Sequence, residues 1–288
     1  MVAEQVVPVY ENNNESIVQQ QNELRAEQAK IAYVGDRVDL SVLKAEYEAG
    51  SDVWVRKIEW LEHKFSHFRR TRGDGNCFYR AFIFSYLEGL LLSQDTQETK
   101  RLAEVLQGWR SKLVEAGFQD LVFSDALDLL LEQLNSISQG FLSSEALQEA
   151  YQDDTASNLV IMLLRFIVSA EIKRRDDFFL PFILGMYDDP PACVDTFCQR
   201  YVEPMAEESD NIHIVALTDA LQVPVTVVYL DRSGVESRAS HLATRTELEV
   251  NEHTIVPDAC AAAGAPIRVH VLYRPGHYDI LYKRPEQG

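Results

Sequence analysis

The stretch Arg69–Leu92, RRTRGDGNCFYRAFIFSYLEGLLL, decides the fold. Two glycines, an aspartate and an asparagine before Cys77 turn the chain, so Thr71–Asn76 is predicted to be a loop. From Cys77 the pattern changes. Phe78, Ala81, Phe82, Ser85, Tyr86 and Gly89 recur at i, i+3, i+4, which predicts a helix with one face inward. Cys77 then stands at a helix N-terminus, where exposed N–H groups and the helix dipole favour a thiolate. Gly73 and Gly75 allow a tight turn that would bring the N–H groups of Asp74, Gly75 and Cys77 towards one point, a cradle for an oxyanion. An isolated cysteine among apolar residues is ordinarily structural. The preceding Gly-Asp-Gly-Asn favours a nucleophile instead.

Upstream, Glu15–Ala32 reads as a polar helical stretch with a thin apolar seam, Ile17, Leu24 and Ile31, at seven-residue spacing. Two further helices are predicted between Asp39 and Phe65, the second carrying Trp54, Ile58 and Leu61. Downstream, helices are predicted around Thr96–Ala116, Ser124–Ser138, Ser143–Tyr151 and Thr155–Arg175. NIHIVALTDAL then reads as a helix and VPVTVVYL as a strand. Val235–Ala265 gives mixed signals and is predicted to be loop with short strands. IRVHVLY and HYDILYK follow as two alternating strands joined at Arg274-Pro275-Gly276, a hairpin. The expected architecture is one α/β body (34–288) behind an N-terminal arm (1–33).

Acidic residues outnumber basic ones by 45 to 27 across 288 residues, for a net charge of −18. That balance disfavours a polyanion, so nucleic acid is not an expected partner. The most apolar run, Leu159–Ala170, is too short to cross a bilayer and contains Arg165, so a buried helix is expected and no membrane. The N-terminus has no basic, then apolar, export signal. With four cysteines only, the expected location is the reducing cytoplasm or nucleus. Cys193 and Cys198 have no second ligand pair nearby, so no metal is expected. His213 and His270 lie among apolar residues and read as satisfied core histidines.

A cysteine nucleophile needs a base, and commonly a third group that holds the base. His277 and Asp279 are two apart on a predicted strand, so they project to one face while Tyr278, Ile280 and Tyr282 project to the other. Asp279 can then accept from one imidazole nitrogen and leave the other for Cys77. Taken alone, His-x-Asp is a common chance arrangement.

GDGNCFYRAF together with LYRPGHYDILYK resembles the otubains, a branch of the ovarian-tumour (OTU) class of deubiquitinating cysteine proteases. DLSVLKAEY, the helix ending in RRDDFF, and VEPMAEESDNIHIVAL extend the resemblance over most of the chain. It implies the OTU fold: a small, mainly antiparallel sheet with a large helical subdomain. It implies Cys77 as nucleophile, His277 as base, Asp279 as acid, and Asp74 as the acidic residue of the cysteine loop. The implied reaction is hydrolysis of ubiquitin isopeptide bonds, with lysine-48-linked chains preferred and no cofactor. The resemblance assigns the arm, through Ile17, Leu24 and Ile31, to a proximal ubiquitin. It also implies a second activity, non-catalytic inhibition of ubiquitin-charged conjugating enzymes (E2). A monomer is expected. The chain departs from the pattern at Asn211, where animal otubains commonly carry histidine.

Overall fold

The computed structural model describes residues 30–50, 52–186, 191–231 and 250–285, together with Gln19 and Glu23. Ile17 and Leu24 of the arm lie outside the described residues, whereas Ile31 is described and is 41% exposed. Tyr33 already belongs to the body. Its backbone N–H donates to Gln152 Oε1 at 2.9 Å, and Val34 bridges to Thr71.

The element order begins with strand β1 (Val38–Asp39), helices α1 (Leu40–Tyr47) and α2 (Asp52–Lys64), and strand β2 (Phe65–Arg69). The helical half is α3 (Cys77–Ser93), α4 (Thr96–Glu115), α5 (Asp120–Ser138), α6 (Ser144–Gln152), α7 (Asp154–Arg174) and α8 (Asp176–Met186). A short α9 (Val194–Phe197) runs into a π-helical turn, Cys198–Val202, before α10 (Asn211–Leu221). Then come β3 (Val225–Tyr229), β4 (Asn251–Ile255), α11 (Asp258–Ala263), β5 (Val269–Arg274) and β6 (His277–Lys283).

The strands form one sheet in the order β1-β2-β6-β5-β3-β4. β3 pairs with β5 in parallel, and the other pairings are antiparallel. The mainly antiparallel sheet and large helical half match the expected fold. Strand alternation divides the interior between two layers. Val225, Val227, Val269, Val271, Tyr278 and Ile280 join the large core of the helical half. Val228, Leu272 and Leu281 point the other way, into a smaller core with α1 and α2.

Three elements go beyond the sequence reading, and one of them, the helix within Val235–Ala265, corrects it. Phe65–Arg69 is a strand, hidden in the sequence because a bulge between Phe65 and His67 breaks its two-residue period. Within Val235–Ala265, Asp258–Ala263 is a helix, ended by Gly264 at φ +62°. Asp176–Met186 is helical despite an internal Pro181. Helix α7 is long and apolar enough by composition to cross a membrane, yet two thirds of that window is buried inside the fold. Its Arg165 is fully buried and supplied with acceptors, as a core helix requires.

Candidate active site

Cys77 and His277 are far apart in sequence, and two aromatic rings show how they meet. Phe78, next to Cys77, packs edge-on against Tyr278, next to His277, with ring centroids 5.4 Å apart. The start of α3 is thereby fixed against the start of β6.

The loop before Cys77 is tied down from both sides. Arg165 of α7 donates to Gly75 O at 2.9 Å, to Asn76 Oδ1 at 2.8 Å, to Val202 O at 3.0 Å and to Glu207 O at 2.7 Å. The backbone N–H of Ala206 donates to Asn76 Oδ1 at 3.0 Å. Gly75 has φ +75°, and a Cβ there would lie 2.1 Å from Ala206 O, so both its conformation and its neighbour demand glycine. The segment 202–207 and the cysteine loop therefore form one bonded unit. Asp74 turns its carboxylate to the Asn76 N–H and to Arg80 Nη1, each at 3.0 Å. Of the three backbone donors expected to meet an oxyanion, the Asp74 N–H donates to Arg72 O at 3.0 Å in this conformation.

At the hairpin, Pro275 and Gly276, the latter at φ +74°, make the turn that starts β6 at His277. His277 Nε2 lies 2.8 Å from Asp279 Oδ1, which leaves Nδ1 for a second partner. Asp279 is wholly buried, and its Oδ1 also accepts the Thr71 N–H at 3.0 Å. Burial pulls the His277 pKa down, but hydrogen bonding to Asp279 and to Cys77, and the charges of both, carry it up to about 9. Burial pushes Asp279 up, but His277 and Arg274 outweigh it and hold the carboxyl below its ordinary value. Cys77, His277 and Asp279 thus come together, with Asp74 beside them in the loop.

Three contacts were not read from the sequence. Arg274 donates to Asp279 Oδ2, Thr71 supplies a backbone donor, and Arg165 ties the loop. Arg274 had a legible signal. A two-residue turn sets it opposite His277, which makes it the diagonal neighbour of Asp279 on the same face.

Cys77 opens into a groove of about 430 Å³. Its lining includes the acidic residues Glu208, Asp210 and Asp231, with Ser209 and Asn211. Tyr229, Tyr273 and Tyr278 also line it, their rings following one another at 5.4 and 5.1 Å. Asn211 accepts from the Tyr229 hydroxyl at 3.4 Å. The lining combines acidic and aromatic side chains, which suits a basic peptide segment.

The chain is 44% identical over 281 residues to the OVARIAN TUMOR DOMAIN-containing deubiquitinating enzyme 1 of Arabidopsis thaliana, covering 95% of this chain and 88% of that protein. It is 36% identical over 271 residues to ubiquitin thioesterase OTUB1 of Homo sapiens, covering 94% and 90%. A solved complex of h/ceOTUB1 with ubiquitin aldehyde and UBCH5B~Ub superposes with a TM-score of 0.78 at 30% identity, over 94% of this chain and 98% of that one. A ceOTUB1 complex with ubiquitin aldehyde and UBC13~Ub gives 0.76 at 30% identity, over 93% and 100%. The family model described as Peptidase C65 Otubain matches residues 26–283, nearly the whole described body, and the chain belongs to that family.

Proposed function

We propose that this protein is a cysteine deubiquitinase that cleaves ubiquitin isopeptide bonds with Cys77 as nucleophile, His277 as acid–base and Asp279 as orienter. The observation that carries the reading is the hydrogen-bonded pair of buried Asp279 and half-buried His277 beside Cys77 at a helix start. His277, oriented by Asp279 and in hydrogen-bond reach of Cys77, is placed to take the thiol proton.

In the reaction, the Cys77 sulfur attacks the carbonyl carbon of ubiquitin's C-terminal glycine. The carbonyl electrons move to oxygen, where backbone donors at the start of α3 face the negative charge. Collapse of this intermediate breaks the C–N bond. His277 gives its proton to the departing lysine amine, leaving a thioester on Cys77. His277 then takes a proton from water, whose oxygen attacks the thioester carbon. Collapse breaks the C–S bond and expels the Cys77 sulfur beside protonated His277, restoring the starting pair, and ubiquitin leaves as a carboxylic acid that gives its proton to solvent. Each step uses protein groups and water.

A second activity, binding of ubiquitin-charged conjugating enzymes, is supported by the similarity to OTUB1 complexes containing UBC13~Ub and UBCH5B~Ub. Such binding does not need the thiol. We assign the arm, through Ile17, Leu24 and Ile31, to the proximal ubiquitin, and expect lysine-48-linked chains to be preferred.

A panel of diubiquitins of each linkage, digested by wild type and by Cys77→Ser, tests the reading. Cleavage by wild type, strongest on the lysine-48 linkage, and none by Cys77→Ser is the expected result. Equal cleavage by both proteins refutes the nucleophile assignment. Cys77→Ser should still slow transfer from a charged conjugating enzyme. Loss of that inhibition removes the second activity.

A further inference from the structure

Asp279 has two carboxylate oxygens, and only one of them serves the histidine. Oδ1 takes the His277 ring nitrogen and the Thr71 N–H. Oδ2 takes the Arg274 guanidinium from the neighbouring strand. A carboxylate held through one oxygen can rotate about its Cβ–Cγ bond, and the imidazole it orients can rotate with it. With Oδ1 held by the Thr71 backbone N–H and Oδ2 by the Arg274 guanidinium, that rotation is blocked. Arg274 and His277 are directly opposed across the hairpin, so the turn that places the base also places the guanidinium.

Arg274 is held at a cost. Burial works against its charge, and its Nε is buried without a hydrogen-bond partner in the described structure. Pairing with Asp279, and with the Tyr47 hydroxyl of α1, more than offsets that burial and keeps the guanidinium charged. Both Tyr47 and Trp54, which packs on it at 5.6 Å, belong to the N-terminal helices. Those helices thus reach the acid of the active site through one side chain.

We propose that Arg274 is a positioning residue for hydrolysis, locking the Asp279 carboxylate so that Oδ1 stays aimed at His277. The inference rests on Cys77, His277 and Asp279 acting as proposed above. Arg274 also sets how strongly His277 holds its proton, because its positive charge weakens the pull of Asp279 on the imidazolium. The groups facing the pair are Cys77 from α3, Tyr47 from α1, Arg70 from the start of the cysteine loop and Glu208 beside Gly276. Arg70 has Asp279 and Arg274 within charge range, and its repulsion with Arg274 remains only while Arg274 is charged.

The test is steady-state cleavage of diubiquitin by full-length Arg274→Gln, Arg274→Lys and Asp279→Asn from pH 5.5 to 10. Arg274→Gln should lower kcat about tenfold to a hundredfold with KM changed less than about threefold. It should also move the alkaline limb of the profile upward, since His277 then faces an unshared carboxylate. Arg274→Lys, which keeps the charge, should return the limb to its wild-type position and recover part of kcat. If Arg274→Gln lowers kcat without moving the limb, or Arg274→Lys keeps the displaced limb, the positioning role is wrong. Should Arg274→Gln fail to fold, the limb position of Arg274→Lys alone carries the decision. Full activity in Arg274→Gln beside a crippled Asp279→Asn overturns this inference only. Full activity in both overturns the underlying assignment of Asp279.

Discussion

Two histidines on adjacent strands of one sheet have opposite fates. His270 on β5 is 6% exposed, packed edge-on against Phe65 at 5.8 Å, with Lys283 adding a like charge. Burial first, then Lys283, drives its pKa down to about 4, so it is neutral across physiological pH. Burial also works against a charge on His277 of β6, whose side chain is 18% exposed, but Asp279 on one side and Cys77 on the other carry its pKa up to about 9. Burial alone silences an imidazole, whereas burial beside a paired carboxylate arms it. The active site is thus built by neighbours, not by the histidine itself.

The strongest way to break this contrast is to remove the carboxylate. Asp279→Asn should push His277 towards the state of His270, with its pKa falling below the ordinary histidine value. Diubiquitin kcat should fall by roughly 10³–10⁴, as for triads that lose their acid. NMR titration of the His277 ring measures the first effect, and steady-state kinetics the second. A His277 pKa that stays near 9 in Asp279→Asn would mean that another group charges it.

A second prediction concerns stability. The folded pKa of His270 lies below the unfolded value of 6.5, so the unfolded chain binds a proton that the folded chain refuses. Its contribution is fully present above pH 6.5 and is lost as pH falls from 6.5 to about 4. At pH 4.5 that loss is about 2 kcal/mol. His270→Gln should remove this share of the acid sensitivity, seen as a smaller drop in urea-unfolding free energy between pH 7 and pH 4.5. An identical drop in both proteins would show that His270 is not buried neutral. The smallest effect is expected from Lys283→Glu, which replaces repulsion of His270 by attraction and should raise its pKa by about half a unit to one unit. NMR reads that shift directly, and no shift would place Lys283 too far away to matter.

The contrast also shows what the sequence could reveal. Both the helix from Cys77 and the two-residue period of HYDILYK were legible, because each is a local pattern that burial enforces. So was the common face of His277 and Asp279. His213 and His270 read correctly as core residues, the former bonded to Asp210 and to Tyr201 O. What was not legible required long-range contact. No local pattern could show that Phe78 meets Tyr278, that Arg165 reaches Gly75 across 90 positions, or that Ala206 occupies the space beside Gly75. Strand β2 was missed because its bulge hides the alternation. The pairing of Cys77 with His277 came from resemblance alone, and the Phe78–Tyr278 contact supplies its physical reason.

The central claim is that one thiol of four is armed, and reaction with a ubiquitin-derived electrophile tests it most directly. Cys198 and Cys260 are buried with their thiol pKa values pushed up; Cys193 is exposed, and a hydrogen bond with Thr196 lowers its thiol pKa, but no imidazole stands among its partners to act as a base. Intact mass followed by peptide mapping should find a single ubiquitin adduct on Cys77, and no adduct on the Cys77→Ala protein. An adduct on Cys193, Cys198 or Cys260, or an undiminished adduct in Cys77→Ala, would contradict the account.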